Sequence, residues 1–189
     1  MRTGAESKKD RVQAAWPGLP QLRPVGDADQ EFLLELYRFT HGPLHEELAS
    51  ISADAAKTLL HLQVRAQFAN CRQRFPESHF QIICAPGGGS AGRLTTARTA
   101  TYLHLLHIGL LPAFCGHGWG THLLVALQQD AAAARIPLHL AVSRSNRAQN
   151  LFRRMGFTVT TQHERDIGMT WFPPDKSRYS PQCETHPHG

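Results

Sequence analysis

The sequence predicts a mixed α/β fold: a mostly antiparallel sheet with one parallel strand–helix–strand crossover at its centre and helices on both faces. Helix-like and strand-like hydrophobic periods alternate along the chain between residues 21 and 172. Near the middle, a glycine-containing loop joins an apolar strand to an amphipathic helix that leads into another strand, and such a unit makes its two strands parallel. The 189 residues, 41% of them hydrophobic, suffice for one packed domain but not for two. We therefore expect one domain over residues 21–172, a disordered tail at 1–20 and a flexible tail at 173–189.

The first predicted elements are a strand and two helices. Residues 21–25 form a short strand, and Asp27 is placed as the N-cap of a helix that ends near Thr40. Ser52 is predicted to cap a longer helix that stops at Phe75–Pro76, because a residue before proline avoids the helical conformation. The positions of this second helix expected to face the core are Leu59, Leu62, Ala66 and Phe68.

A β-hairpin is expected next, with strands at 80–84 and 92–98 around a turn rich in Pro and Gly. The glycines of this turn also match the G-x-G-x-x-G fingerprint of dinucleotide-binding loops: Gly87, Gly89 and Gly92. That fingerprint must open a helix, whereas the residues that follow here are typical of a strand. The sequence therefore excludes a dinucleotide site at the hairpin.

The remaining elements follow in one order: a strand at 102–111, a glycine loop at 116–120, a helix ending near 135, a strand at 138–142, a short helix up to 155, and strands at 157–159 and 167–171. Asn146 is predicted to cap the short helix, and Gly156 to lie at its C-terminal end.

Composition restricts the possible partners. The net charge is +5 and the isoelectric point about 9.3, but no run of Lys and Arg alternates with aromatic residues, so a nucleic-acid partner is not expected. No stretch reaches the roughly 18 consecutive apolar residues of a membrane span, and no apolar signal segment follows the N-terminus. The four cysteines lie far apart, and the tail residues Cys183, His186 and His188 lack zinc-site spacing. We expect a cytoplasmic protein without membrane contact or a bound metal.

The glycine loop is the best candidate for a binding site. Gly116, Gly118 and Gly120 leave backbone N–H groups unobstructed, and the helix that begins there adds its positive end. The loop lacks the Gly-Lys-Ser/Thr ending of a nucleotide P-loop, and Thr121 stands where a dinucleotide fingerprint would have glycine. The pattern indicates binding of a phosphate or pyrophosphate; the alternative is that the glycines merely permit a tight turn.

Two segments resemble the GNAT N-acyltransferase superfamily. Residues 107–124, His-Ile-Gly-Leu-Leu-Pro-Ala-Phe-Cys-Gly-His-Gly-Trp-Gly-Thr-His-Leu-Leu, resemble its acetyl-CoA-binding motif, whose signature is Gln/Arg-x-x-Gly-x-Gly/Ala. Residues 146–157, Asn-Arg-Ala-Gln-Asn-Leu-Phe-Arg-Arg-Met-Gly-Phe, resemble its Asn-x-x-Ala-x-x-Leu-Tyr-x-x-x-Gly-Phe motif. The family's order of strands and helices matches the order predicted over residues 21–171.

The resemblance implies an N-acetyltransferase that transfers an acetyl group from acetyl-CoA to a primary amine of a small molecule or peptide, by direct attack in a ternary complex. Backbone amides of the loop would hold the pyrophosphate, and the pantetheine would lie between the strand ending near 111 and the strand at 138–142. The cofactor contacts that it implies are Ile108, Gly109, Leu110, Cys115, Gly116, His117, Gly118, Trp119, Gly120, Thr121, Asn146 and Phe152.

Three departures from the family pattern support an alternative. Cys115 stands where the signature has Gln or Arg, and His117 where many members have Arg, so positive charge near the phosphates is reduced. Phe152 replaces a Tyr that protonates the leaving thiolate in many members. The alternative function is a catalytically weakened acyl-CoA-binding or protein-interaction module. Cys115 itself could be a nucleophile activated by the helix terminus or a bystander.

The acceptor side has two candidate residues. An attacking amine must lose a proton, and His107 is the candidate general base, since an imidazole titrates in the useful range. A histidine with a purely structural role in the sheet is the competing interpretation. Glu46, next to Glu47, resembles acidic residues of the family's substrate-facing region and could bind a cationic amine. The acceptor itself stays open, and so does a homodimer.

Overall fold

The computed structural model describes residues 19–40 and 52–174. The strands in these residues are β1 (Gln21–Pro24), β2 (Ser78–Cys84), β3 (Ser90–Arg98), β4 (Leu103–Leu110), β5 (Leu138–Ser143), β6 (Thr158–Gln162) and β7 (Asp166–Trp171). The helices are α1 (Gln30–Thr40), α2 (Ala53–Arg74), α3 (Trp119–Ala134) and α4 (Ala148–Arg154), with short 3-10 turns at Asp27–Asp29 and Pro112–Phe114. The predicted order of strands and helices is confirmed.

The strands form one sheet in the order β1-β2-β3-β4-β5-β7-β6. Strands β4 and β5 are parallel, and α3 connects them; every other neighbouring pair is antiparallel. The mixed, mostly antiparallel sheet with a central parallel crossover is therefore confirmed.

Helices cover both faces of the sheet, as predicted. Helices α3 and α4 pack on one face, where Leu124 and Phe152 join the larger core cluster with Leu138 of β5. Helices α1 and α2 pack on the other face, where a smaller cluster includes Leu34 and Leu60. The larger cluster thus fixes the central strands from the face of α3 and α4, while the smaller cluster packs α1 and α2 against β2.

The predicted core face of α2 is wrong. Leu59 and Leu62 are 36% and 57% exposed, and Ala66 is exposed as well. The side chains that α2 buries are Ala56, Leu60 and Val64, which repeat every fourth residue along one stripe. Apolar residues occur on more than one side of this helix, and packing against β2 and α1 decides which side is buried. Only Phe68 keeps its predicted role, since its ring stacks on Phe80 with the ring centroids 4.5 Å apart.

The start of α1 also differs from the prediction. Asp27 is the first residue of a 3-10 turn, and it is Asp29, two residues later, whose carboxylate accepts the N–H of Gly26 at 2.8 Å. The cap predicted at Ser52 is confirmed, because its hydroxyl oxygen accepts the N–H of Ala55 at 3.3 Å. Within residues 19–40 and 52–174, no helix has both the length and the apolar character that a membrane crossing requires.

Candidate functional site

The two central strands separate at their carboxyl ends. The β4–β5 ladder consists of the register pairs Leu103–Leu138, His104–His139 and Leu105–Leu140. Beyond them, β4 continues beside β3 as far as Leu110, while β5 continues beside β7 as far as Ser143. The sheet therefore opens between the last residues of β4 and those of β5, which is where ligands bind at parallel strands.

A β-bulge in β4 lies at the point where the strands separate. Thr95 of β3 is paired with His107, but the next residue, Thr96, is paired with Leu105, so Leu106 is the extra residue. The bulge changes the alternation of side chains along β4. His104 contacts Phe75 at the end of α2, and His107 lies beside α1, so both histidines occupy the same face.

The glycine loop follows β4 after the 3-10 turn Pro112–Phe114 and is open to solvent. Gly116 and Gly118 both have φ of 80°, the left-handed conformation that glycine adopts without strain. A Cβ atom at either position would meet nothing within 4 Å. The loop thus leaves space beside its backbone for a ligand.

Helix α3 begins inside this loop and adds further donors. The hydrogen bond that closes its opening turn runs from the N–H of His122 to the carbonyl of Gly118, at 2.9 Å. The N–H groups of the three residues before His122 have no acceptor within the helix, as in the first turn of any α-helix. Helix and loop together present a row of N–H groups at the carboxyl end of β4, which suits a phosphate.

The side chain of Trp119 holds this loop from inside. It is 4% exposed, and its ring stacks on Phe114 with centroids 5.3 Å apart and an interplanar angle of 19°. Trp119 can therefore offer a ligand its backbone, whereas its indole belongs to the core.

The surroundings of Cys115 do not favour its thiolate form. Its Sγ points toward the carbonyl oxygens of Leu110 and Leu111, at 3.7 and 3.5 Å. Although the residue reaches solvent, desolvation by nearby protein atoms raises the pKa of the thiol above its ordinary value. A raised pKa lowers the thiolate fraction, so the structure favours the bystander interpretation.

The second motif packs against the first. Leu151 Cδ2 lies 3.5 Å from where a Cβ of Gly120 would be, so α4 packs on the first turn of α3. Asn146, predicted as the N-cap of α4, lies one residue before the N-cap, which is Arg147. Its Oδ1 still accepts the N–H of Ala148 at 2.9 Å, which leaves its NH₂ group for a ligand. Phe152 is 4% exposed and meets Phe157 edge to face, with centroids 5.8 Å apart. It is part of the core beneath the site.

His107 lies in a narrow cleft between α1 and the sheet. The residues that line this cleft are Leu33, Leu36, Tyr37, Thr40, Arg93 and His107. His107 Nε2 lies 2.9 Å, and Thr40 Cγ2 3.1 Å, from where a Cβ of Gly109 would be. The imidazole therefore leans over Gly109, toward the end of β4, and only a glycine at 109 leaves room for it.

Ile108 and Leu110 point to the opposite face from His107 and pack against the larger core cluster. Together with Gly109 they form the stretch of β4 that lies beyond the last β4–β5 pair. His117 and Thr121 lie in the loop and in the first turn of α3. Glu46 and Glu47 fall outside the described residues.

The sequence interpretation missed two groups of cations. Arg147, the N-cap residue of α4, and Arg154 lie four residues before and three residues after Leu151, so helical spacing puts them on the side of Leu151. A search of the motif for basic residues at helical spacing could have found them. Arg93 of β3 is buried in the cleft with His107, and no local signal in the sequence marks it.

The family model described as Acetyltransferase (GNAT) domain matches residues 47–177, which include the open strand ends, the glycine loop and α4. This chain belongs to the GNAT acetyltransferase family. GNAT acetyltransferases transfer an acetyl group and use acetyl-CoA as co-substrate, so acetyl transfer is the activity that the family assigns to the chain.

Solved GNAT-like structures share the fold. The PaiA N-acetyltransferase from Thermoplasma acidophilum, crystallised with coenzyme A, is 17% identical with a TM-score of 0.57, covering 82% of this chain and 99% of its own. An acetyltransferase from Thermus thermophilus is 16% identical with a TM-score of 0.59, covering 82% and 97%. PH1933 from Pyrococcus horikoshii OT3 is 13% identical with a TM-score of 0.60, covering 81% and 98%. No curated protein sequence matches the chain significantly.

Proposed function

We propose that this GNAT protein is an N-acetyltransferase that moves the acetyl group of acetyl-CoA to a primary amine of a small molecule or peptide. The observation that carries the proposal is the opening between β4 and β5, which begins after Leu105 and Leu140 and leads to the open glycine loop. An extended pantetheine arm fits such an opening, and a pyrophosphate fits the N–H groups at its end.

The cofactor contacts divide between backbone and side chains. Backbone groups of residues 108–110 would pair with the pantetheine, because this part of β4 has passed its last pairing with β5. Backbone N–H groups of residues 116–121 would hold the pyrophosphate. The NH₂ group of Asn146 would donate to the pantetheine from the other side of the opening.

The reaction needs a neutral amine and a base. His107 leans over Gly109 at the end of β4, the position from which it could accept a proton as the amine attacks the thioester carbonyl. The C–N bond forms, the C–S bond breaks, and coenzyme A leaves as a thiolate that takes a proton from water, since Phe152 has none to give. Holding both substrates together supplies much of the rate enhancement, so no covalent enzyme intermediate is required.

Calorimetric titration with acetyl-CoA tests the proposed cofactor site. Gly118→Glu places an anion in the loop, at a position whose φ of 80° also strains any other residue. Gly88→Glu is the matched control, because Gly88 has φ of 93°, equally open space and a place in the β2–β3 hairpin. We expect Gly118→Glu to weaken binding at least about tenfold, which is about 1.4 kcal/mol, and Gly88→Glu to leave it unchanged. Equal binding by all three proteins would exclude the loop as the site.

Release of coenzyme A that requires both acetyl-CoA and an amine tests the activity. His107→Gln should lower kcat by about 10²- to 10⁴-fold and remove the fall in rate at acidic pH that a titrating base causes. Acetyl-CoA binding should be preserved. Normal binding of acetyl-CoA without turnover on a broad amine panel would favour the acyl-CoA-binding module instead, the alternative that Cys115 and Phe152 support.

A further inference from the structure

Arg93 is a buried cation beside which the described residues place no carboxylate. The residue is 5% exposed. Its Nη2 donates to Gln67 Oε1 at 2.7 Å, and its guanidinium carbon lies 5.0 Å from the centroid of the Phe68 ring. Its Nε is buried without a hydrogen-bond partner. The ion pairs within the described residues are elsewhere, between Arg23 and Asp29 and between Lys57 and Glu31.

Burying a cation in this way lowers the stability of the fold, so its presence indicates a function. Buried charges in proteins are normally paired, because removing a charge from water costs several kcal/mol. Burial lowers the pKa of Arg93 to about 10, so the side chain still carries its charge at neutral pH. A glutamine oxygen and an aromatic face offset part of this cost, but Nε has no acceptor and residues 19–40 and 52–174 supply no carboxylate to the guanidinium.

A second polar group without a hydrogen-bond partner lies on β3, two residues after Arg93 and on the same face of the strand. The Oγ1 of Thr95 is buried without a hydrogen-bond partner, and Thr95 itself is 1% exposed. Thr95 is paired across the strands with His107, and Arg93 with Gly109, the residue over which the imidazole leans. Residues paired in this way have Cα atoms about 5 Å apart. The free donors of β3 thus stand next to the base proposed for the reaction.

The cleft lined by Arg93 and His107 is closed in the structure. It is narrower than a water molecule, so water cannot reach the buried donors through it. A ligand oxygen could enter if Thr40 and the last turn of α1 moved outward. Such entry would give Arg93 Nε an acceptor and the guanidinium an anion that the described part of the chain does not provide.

We propose that the acceptor of this acetyltransferase is a small amino carboxylate, whose amine faces His107 while Arg93 binds its carboxylate. The inference rests on the proposed N-acetyltransferase function and adds the substrate class. A guanidinium binds a planar carboxylate through parallel hydrogen bonds, which a single ammonium group cannot reproduce. Arg93 is therefore a specificity-determining residue. The apolar side chains of Leu33 and Leu36 complete the cleft, so the acceptor also presents apolar atoms.

The test compares acceptors that differ only in the carboxylate, using the full chain and acetyl-CoA. Leucine is paired with isoamylamine, phenylalanine with phenethylamine, and β-alanine with ethylamine, and kcat/KM is corrected for the neutral fraction of each amine. For at least one pair, we expect the carboxylate-bearing acceptor to be preferred by about tenfold or more, the scale of one charged hydrogen-bonded contact.

Arg93→Gln should lower kcat/KM for the preferred amino carboxylate by about 10- to 100-fold and change that of the matched amine by less than about threefold. Arg93→Lys should recover only part of the preference, since it keeps the charge and loses the planar fork. Arg98→Gln, at the exposed end of β3, is the matched control and should have no effect. If Arg93→Gln does not fold, two measurements still test the inference: the preference of the natural protein for the carboxylate-bearing acceptor, and the partial loss of that preference in Arg93→Lys.

Two results would overturn the inference and leave the proposed function intact: acetylation of amines with no preference for a carboxylate, or an equal loss on both acceptors in Arg93→Gln. Either would mean that Arg93 only supports the fold. Failure to bind acetyl-CoA would instead overturn the proposed function itself. Acetyl-CoA binding with no turnover of any pair would contradict the acceptor class and favour the binding module.

Discussion

The carboxylate of Asp29 accepts hydrogen bonds from both terminal nitrogens of Arg23, at 2.7 and 2.5 Å, and from the N–H of Gly26 at 2.8 Å. Asp29 is 4% exposed. The hydrogen bonds from Arg23 hold the pKa of this carboxyl below its ordinary value, against the opposite effect of burial. The contact joins β1 to the turn that begins α1, and so fixes the helix that covers His107.

Asp29→Asn should lower the free energy of unfolding at pH 7 by about 1 to 2 kcal/mol, because hydrogen bonds to a charged group are lost. A carboxyl with a lowered pKa in the folded state stabilises the protein above its unfolded pKa of about 3.9, and this contribution is lost as the pH falls through the folded value. The difference between natural and variant proteins in urea titrations should therefore shrink as the pH falls below about 3.9. Glu31→Gln, which breaks an exposed pair with Lys57, is the control and should change stability less.

A difference that stayed constant from about pH 7 to about pH 2.5 would show that the charge of Asp29 is not what stabilises the turn.

At the scale of elements, the ends of helices were easier to predict than their faces. Ser52 and Gly156 take the positions that local chemistry predicts, because a cap depends on a few neighbouring residues. The caps predicted at Asp27 and Asn146 are displaced by one or two residues. The buried side of α2 depends instead on packing against β2 and α1, and the sequence pattern pointed to Leu59 and Leu62, which are exposed. The β4 bulge is also invisible to periodicity, since it exists only relative to the pairing with β3.

The end of α4 gives a prediction at this scale. Gly156 has φ of 83°, and its N–H donates to the carbonyl of Arg153 at 3.0 Å. Gly156→Ala should cost about 1 to 2 kcal/mol of unfolding free energy, the penalty for a left-handed residue that carries a Cβ atom. Gly89→Ala is the matched control, because its φ is not left-handed and an added Cβ would meet nothing within 4 Å. Equal stability of the two variants in urea would mean that the chain ends α4 in another conformation.

At the scale of the whole molecule, the sequence predicted which segments are neighbours but not the buried Arg93 or the opening between β4 and β5. The order of strands, the parallel crossover and the meeting of the glycine loop with α4 follow from motifs and hydrophobic periods. Arg93 could not be placed, because a buried arginine in a strand has no local signature and its surroundings come from α1, α2 and β4. The separation of β4 from β5 is likewise a property of the complete sheet.

A ligand that binds only the folded protein stabilises the whole molecule. Acetyl-CoA at about 100 times its Kd should raise the free energy of unfolding by about 2.7 kcal/mol. The rise is measured by urea titration at increasing acetyl-CoA concentration. At the same concentration, Gly118→Glu should lose at least about 1.4 kcal/mol of this rise, whereas Gly88→Glu should show all of it. A similar rise in both variants would place the ligand away from the loop.

The extra residue in β4 shifts the alternation of side chains between the two faces of the sheet by one position. His104 and His107 are separated by an odd number of positions, and in a regular strand they would point to opposite faces. Leu106 is the extra position that lets both histidines lie on the same face. If β4 kept Leu106 but lost the bulge, His107 would turn toward the core beneath α3 and Ile108 toward the cleft, although every residue of the glycine loop would remain. Deleting Leu106 would instead leave His107 on the cleft face, because only Leu105 would then separate it from His104. The face on which the proposed base lies is therefore set by how β4 pairs with β3.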